Sequence, residues 1–280
     1  MTSAIKIFII LLLMMLQPTY IVAQDSFDEQ FEYAKNLYEI ENYFDAVTEF
    51  KRLLYFDESG DFEYKANLLI GLCYKEGGKF SEAIEYFSMA EQNSNSDQEY
   101  FESKIEIIKI NILRRTTGQA FQILDALSND HRFNGRSEEI NYWRGWAYIF
   151  ADKWGEAALT FSKSQFDQQL AVLCDSVNHE FYNPQLAKYL SFIPGAGQFY
   201  TGEYVSGLIS IGWNVLWGYL TIDAFIKDRI LDGVLIGSLL WWRFYSGNIK
   251  NAEKFAIEKN LKITNEALNF LQYNYQGEKP

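Results

Sequence analysis

Cysteine and histidine are scarce, two of each in 280 residues. Two cysteines cannot build a disulfide framework or a four-thiolate zinc site, and two histidines make no multi-histidine metal centre. Cys73 and Cys174 read as buried, unpaired thiols, while His131, in a polar loop, and His179, beside Glu180, read as surface side chains. Basic charge is also short: 25 Lys and Arg stand against 37 Asp and Glu, a net of −12. That balance excludes the basic footprint of broad nucleic-acid binding. Catalytic signatures are missing too: there is no HExxH, no P-loop and no Gly-x-Ser-x-Gly elbow. Gly195-Ala196-Gly197 lacks the strand and third glycine of a dinucleotide fingerprint. The chain is therefore expected to carry no catalytic site, no metal and no cofactor. Apolar side chains are plentiful, at 48% with 17% aromatic, enough to bury a core.

The charge is unevenly placed. Residues 25–100 hold 18 acids and 6 bases, whereas 101–183 hold 11 and 9, and 184–280 hold 8 and 9. The acidic stretch either steers a basic partner or simply keeps that end solvated. Before Asp25 the only charge is Lys6, followed by ten apolar residues, Ile7 to Leu16, and a small residue at Ala23. Ten helical residues rise about 15 Å, half of a hydrocarbon core of about 30 Å. Residues 1–23 thus read as an export signal rather than a spanning anchor, which implies an oxidising compartment.

Ala46, Ala83, Ala120 and Ala157 recur at steps of 37 residues. Four positions later stand Phe50, Phe87, Leu124 and Phe161; twelve earlier, Ala34, Gly71, Ile108 and Gly145; nine earlier, Leu37, Tyr74, Asn111 and Tyr148. Small residues permit close helix contact and aromatics fill the space beside them, which marks stacked helix pairs. Over residues 27–166 the pattern resembles the tetratricopeptide repeat, with Ala34 in place of glycine in the first unit and Ile108, Asn111 and Thr117 departing in the third. The resemblance implies a helical solenoid over 24–183, capped by the helical pattern of 170–182, that binds a protein on one face. The other reading makes it a rigid stem.

After Asn183-Pro184 the composition changes. Tyr204 to Ile226 runs for 23 residues whose interior has no charge until Asp223, and Ile230 to Tyr245 is apolar over 16 with Asp232 and Arg243 near its ends. The two stretches read as membrane spans joined by a turn at Lys227-Asp228-Arg229, against the alternative of a buried soluble hairpin. Gly233 with Gly237, and Ser206 with Ser210, permit close packing in lipid. Asn214 and Arg243 fall at similar depth and are expected to hydrogen-bond across the hairpin. Export would place the solenoid and C-terminus in the periplasm of a double-membrane bacterium. The turn would lie in the cytoplasm and the spans in the inner membrane, since outer-membrane spans are barrels.

Flanking the hairpin are Pro194-Gly195-Ala196-Gly197-Gln198-Phe199-Tyr200-Thr201-Gly202 and Tyr245-Ser246-Gly247-Asn248, with Ala252, Ala256 and Asn260 beyond. Over residues 184–260 this pair is similar to a family of bacterial membrane proteins in which Pro-Gly-x-Gly-Gln-x-Tyr-x-Gly precedes two spans and Tyr-x-Gly-Asn follows them. In that family tetratricopeptide-like repeats often stand in front. The resemblance implies a membrane module over 184–248, and association with envelope or membrane-protein biogenesis. Physically, Pro194 ends a helix, Gly195 and Gly197 permit a turn and close approach, and Gln198 and Asn248 satisfy backbone groups. The two segments are expected to meet as one collar, either a lipid or protein contact site or a clasp of the fold. The tail, 249–280, reads as an amphipathic helix that lies on the membrane or packs back on the repeats.

The expected whole is an all-α exported scaffold or adaptor held at the membrane, with a protein partner, basic in character, and lipid around its spans. The alternative expectation is a membrane-active module handling lipid or nascent membrane proteins, with the repeats as a stem.

Overall fold

A computed structural model describes residues 19–163 and 168–280. The apolar run Ile7–Leu16 of the expected export signal lies outside them. Among the described residues the chain is all-helical, with no strand. They fall into two compact units, one ending at Lys153 and the other holding Trp154–Ser162 and the chain from Gln168 to Lys279.

The first unit contains α1 (Thr19–Glu39), α2 (Tyr43–Phe56), α3 (Glu63–Glu76), α4 (Phe80–Gln92), α5 (Asp97–Leu113), α6 (Thr117–Asn129) and α7 (Ser137–Phe150), with a 3₁₀ segment at His131–Arg136. Each α-helix packs on its sequence neighbours, and α1, α3, α5 and α7 also touch in turn. Ala34, Ala46, Ala83, Ala120, Phe50, Phe87 and Leu124 are fully buried. Close approach explains the small residues: a methyl added to Gly71 would lie 2.6 Å from the Phe87 ring.

The repeat is written in the backbone as well. Glu41, Gly78, Arg115 and Asp152 all take left-handed conformations, with φ of 62°, 69°, 56° and 57°, and they stand 37 residues apart. Each ends an odd-numbered helix. The N–H of Asn42 returns to the Leu37 carbonyl at 2.9 Å, that of Lys79 to Tyr74 at 2.8 Å and that of Lys153 to Tyr148 at 2.9 Å. In the third repeat the Thr116 hydroxyl donates instead to the Asn111 carbonyl at 3.1 Å. This is the Schellman cap, in which a left-handed residue lets the last carbonyls of a helix find donors. The positions nine before each alanine therefore supply the accepting carbonyls. Between α2 and α3, the Asp57 carboxylate organises the loop by accepting from the Ser59 hydroxyl at 2.6 Å and the Phe62 N–H at 3.0 Å. Burial alone would raise its pKa, but these bonds and those from the Gly60 and Ser59 N–H groups outweigh burial and hold it below the usual range.

The second unit contains α8 (Trp154–Lys163) up to Ser162, α9 (Gln168–Glu180), α10 (Pro184–Leu190), α11 (Ala196–Tyr200), α12 (Tyr204–Ile226), α13 (Ile230–Leu235) and α14 (Trp242–Tyr273). Ala157 and Phe161 of α8 are buried. From Ile230 to Tyr273 the backbone is helical without a break, through a wide i→i+5 stretch at Ile236–Trp241. The second apolar stretch and the tail, including Ile249, are thus one rod. It meets α9, α10, α11 and α12 along its length.

α12 is the one helix among the described residues long and apolar enough to cross a membrane. It buries Gly207, Ser210, Asn214, Thr221 and Ala224 and exposes large apolar side chains, among them Val205, Leu208, Val215, Ile222 and Ile226. The buried stripe meets the facing helix closely: added methyls at Gly233 and Gly237 would lie 2.9 Å from the Phe225 ring and 3.1 Å from Thr221 Cγ2.

The left-handed caps give paired expectations. Gly78 has open space for a methyl, so Gly78→Ala adds only backbone strain and should lower stability by about 1 kcal/mol. Glu41→Gly should raise it by about 0.5 kcal/mol, because glycine relieves strain but adds unfolded-state entropy. Chemical unfolding of the full chain in detergent checks both signs.

Candidate functional site

The two motif segments meet in the second unit, and the meeting is built from backbone outward. Asn183 caps α10, its Oδ1 accepting from the Leu186 N–H at 3.0 Å, with Pro184 at the first helical position. Gly195 takes φ +87°, and a side chain there would meet the Gly207 carbonyl at 2.7 Å. The left-handed turn thus lets the chain lie directly on α12. A methyl at Gly197 would collide with Ser191 Oγ and the Ala187 carbonyl and lie 2.8 Å from Ala252 Cβ. Ala187, Ala252 and Ala256 are fully buried there, with Tyr182 and Tyr200 against them.

Hydrogen bonds close the junction. Gln198, fully buried, donates from Nε2 to the Asn248 carbonyl at 3.0 Å. The Tyr245 hydroxyl donates to the Phe192 carbonyl at 3.1 Å. The Tyr200 hydroxyl accepts from the Asn183 N–H at 2.9 Å, and its ring meets that of Tyr182 edge-on at 5.6 Å. Asn260 completes the set: its Oδ1 accepts from the Tyr182 N–H and its Nδ2 donates to the Tyr182 carbonyl, both at 2.8 Å. Ion pairs Lys188–Glu253 at 3.1 Å and Lys259–Glu203 at 3.2 Å lie farther out. Gly202, with φ +74°, faces Lys259.

Of the expected collar residues, Pro194, Gly195, Gly197, Gln198, Tyr200, Gly202, Tyr245 and Asn248 all lie in this junction. Gly247 is different, because nothing stands within 4 Å of a methyl placed on it. Asn248 contributes its carbonyl, while its buried Nδ2 has no partner. The expected Asn214–Arg243 bond is not formed: Asn214 Nδ2 donates to the Ser210 carbonyl at 2.8 Å, its Oδ1 has no donor, and Arg243 is exposed. Arginine offers only donors, so the expected bond would have needed Asn214 Oδ1, which the exposed Arg243 does not reach.

In the first unit the repeat residues Ala46, Gly71, Ala83, Ala120 and Gly145 are buried, as is Ala157 in the second. Tyr74 and Tyr148 stand half-buried against Tyr86 at 5.4 Å and Phe121 at 4.8 Å. Lys51 lies over the Tyr74 and Tyr86 rings, donating to the Tyr74 hydroxyl at 3.1 Å, with its pKa raised by Tyr86 and Tyr74. A cavity of about 370 Å³ adjoins them between Val47 and Lys79. One cluster had no signal in the residue spacing. Glu106 of α5 takes Lys109 at 2.6 Å and Lys75 of α3 at 3.2 Å, and Lys109 sits 4.7 Å from the Trp143 ring of α7. The cluster ties three odd-numbered helices together through charge that is nearly buried.

No protein-family model matches the chain, and no curated protein or solved structure matches it either. The functional reading therefore stands on the geometry.

Gly197 and Gly247 separate packing from helix propensity. Gly197→Ala should destabilise the full chain by about 1–3 kcal/mol through overpacking. Gly247→Ala, with open space, should stabilise it by up to about 1 kcal/mol. Thermal unfolding and protease resistance in detergent check the contrast.

Proposed function

We propose that the chain is a membrane-anchored scaffold: a tetratricopeptide-like solenoid that recruits a protein partner, carried on a two-span helical hairpin. The observation that carries the membrane reading is the inversion of α12, which puts small and polar residues inward and large apolar ones outward. Water would penalise that arrangement and hydrocarbon rewards it. The second span is the run from Ile230 through Tyr245, and the rest of α14 continues beyond the bilayer. The Lys227 and Arg229 turn lies on the cytoplasmic side under the positive-inside tendency. The solenoid and C-terminus then share the opposite face, in keeping with export by the segment 1–23.

The scaffold reading draws on the first unit. Its odd-numbered helices touch in succession, its caps repeat every 37 residues, and its surface is acidic over 25–100. Within that acidic stretch Phe44 is 82% and Tyr55 81% exposed. Aromatic anchors within a field of one sign suit a basic protein partner, the charge setting encounter rate and the aromatics holding the contact. Assembly or quality control of the cell envelope is the setting in which such an adaptor would work.

Photo-crosslinking in cells separates the readings. With crosslinkers at Phe44, Tyr55, Leu208 and Leu231, the scaffold reading expects reproducible protein adducts at the first two, weakened by salt in isolated membranes. Protein adducts confined to Leu208 and Leu231 would move the function into the membrane module and make the repeats a stem.

A further inference from the structure

From Tyr189 to Gly202 the chain carries no charge over 14 residues. The charges that bound this stretch are both paired with α14, Lys188 with Glu253 and Glu203 with Lys259. Between them the chain bends at Pro194-Gly195, and its contacts give the level of that bend along the hairpin. Ile193 and Pro194 share the walls of one hollow with Ile211 and Val215 of α12 and with Trp241 and Tyr245 opposite. A methyl on Gly195 would lie 2.9 Å from the Ile211 side chain. Ile211 to Val215 stand 15 to 11 residues before Ile226, and Trp241 to Tyr245 stand 11 to 15 residues after Ile230. At about 1.5 Å per residue, both counts put the bend about 17–22 Å from the Lys227–Arg229 turn. Glu203 stands 23 residues before Ile226 and Glu253 23 residues after Ile230, which is about 35 Å from the turn by the same count.

We propose that Tyr189–Gly202 is a re-entrant segment: it dips into the leaflet opposite the turn and returns to the same face, with lipid acyl chains around its tip. This rests on α12 crossing the membrane. A hydrocarbon core of about 30 Å that begins at the charged turn ends between the bend and the two ion pairs. Lys250, the first charge of α14 beyond Arg243, stands 20 residues after Ile230, at that boundary. Arg243 lies deeper, is exposed, and has a long side chain that carries its charge toward the headgroups. The tip presents the surface that lipid would cover: Phe192 is 58% and Ile193 71% exposed. Tyr189 stacks on Phe192 at 6.4 Å. Irregular backbone survives at that depth only where the protein itself answers its polar groups. Here the Phe192 and Ile193 N–H groups return to the Tyr189 and Leu190 carbonyls at 3.2 and 3.0 Å, and Pro194 has no N–H to answer. The Phe192 carbonyl accepts from the Tyr245 hydroxyl and the Ile193 carbonyl from the Ala196 N–H, both at 3.1 Å. A loop in water gains nothing from turning such large apolar side chains outward.

The test uses the full chain reconstituted into phosphatidylcholine vesicles, with bimane on one introduced cysteine at a time: Ile193→Cys, Val215→Cys or Lys262→Cys. The native thiols are buried and stay unlabelled. Two quenchers are compared, a phosphatidylcholine carrying a nitroxide part-way down its acyl chain, and iodide present on both sides of the membrane. Bimane at 193 should be quenched by the acyl nitroxide about as strongly as at 215, and by iodide several-fold less than at 262. Phe192→Cys repeats the measurement at the tip if Ile193→Cys does not fold. Iodide quenching at 193 equal to that at 262, with 215 still quenched by lipid, would put the segment in water and overturn the proposal. Quenching of 193 by neither agent would mean that protein covers the tip, and would overturn it as well. Iodide quenching at 215 equal to that at 262 would remove the span beneath the proposal and the membrane reading with it.

Discussion

The second unit depends on the close approach of α12 to its neighbours, which its small residues allow. Gly207 lets the Phe199 ring lie against the backbone, and Gly195 rests on the Gly207 carbonyl. Farther along, the Thr221 and Phe225 side chains fit against Gly237 and Gly233. Large residues at these positions would force the helices apart and the motif segment off α12. With the small residues turned inward, the bulky apolar ones have nowhere to go but out. The packing that holds the unit together and the apolar face it presents are therefore one constraint.

From that contact the rest is laid out by a straight rod. α14 continues the line of α13, so Asn248, Ala252, Ala256 and Asn260 come round at helical spacing to face the segment between Tyr182 and Tyr200. The alanines permit the approach, Asn260 answers both backbone groups of Tyr182, and Gln198 donates to the Asn248 carbonyl. This favours the clasp reading of the motif pair.

The legibility of the sequence differed by level. The period of 37 was readable because close packing admits few residue types at the contact positions. The caps that share that period were not. Only Gly78 carries the expected glycine, and Glu41, Arg115 and Asp152 adopt the same left-handed geometry because the helix on each side demands it. The motif pair could be read as a junction, since proline and glycine at fixed spacing have backbone consequences. Its inert member, Gly247, looked the same as Gly197 because both are glycines; only the surrounding atoms tell them apart. The Lys75–Glu106–Lys109 cluster joins side chains from separate helices at no repeated offset, so nothing in the linear pattern signals it. The Asn214–Arg243 pairing failed because Asn214 is buried while Arg243 turns outward and is exposed.

The inside-out character of α12 is tested most directly by cysteine accessibility in native membranes opened so that both faces meet the reagent. The native thiols are silent: Cys174 is fully buried, and burial pushes Cys73 up to about 12. With Val215→Cys and Lys227→Cys as reporters, a membrane-impermeant maleimide should label the turn quickly and residue 215 scarcely at all. Residue 215 should be shielded although the protein itself leaves Val215 66% exposed. Equal labelling rates at the two positions would show that water, not lipid, covers the helix, and would contradict the account.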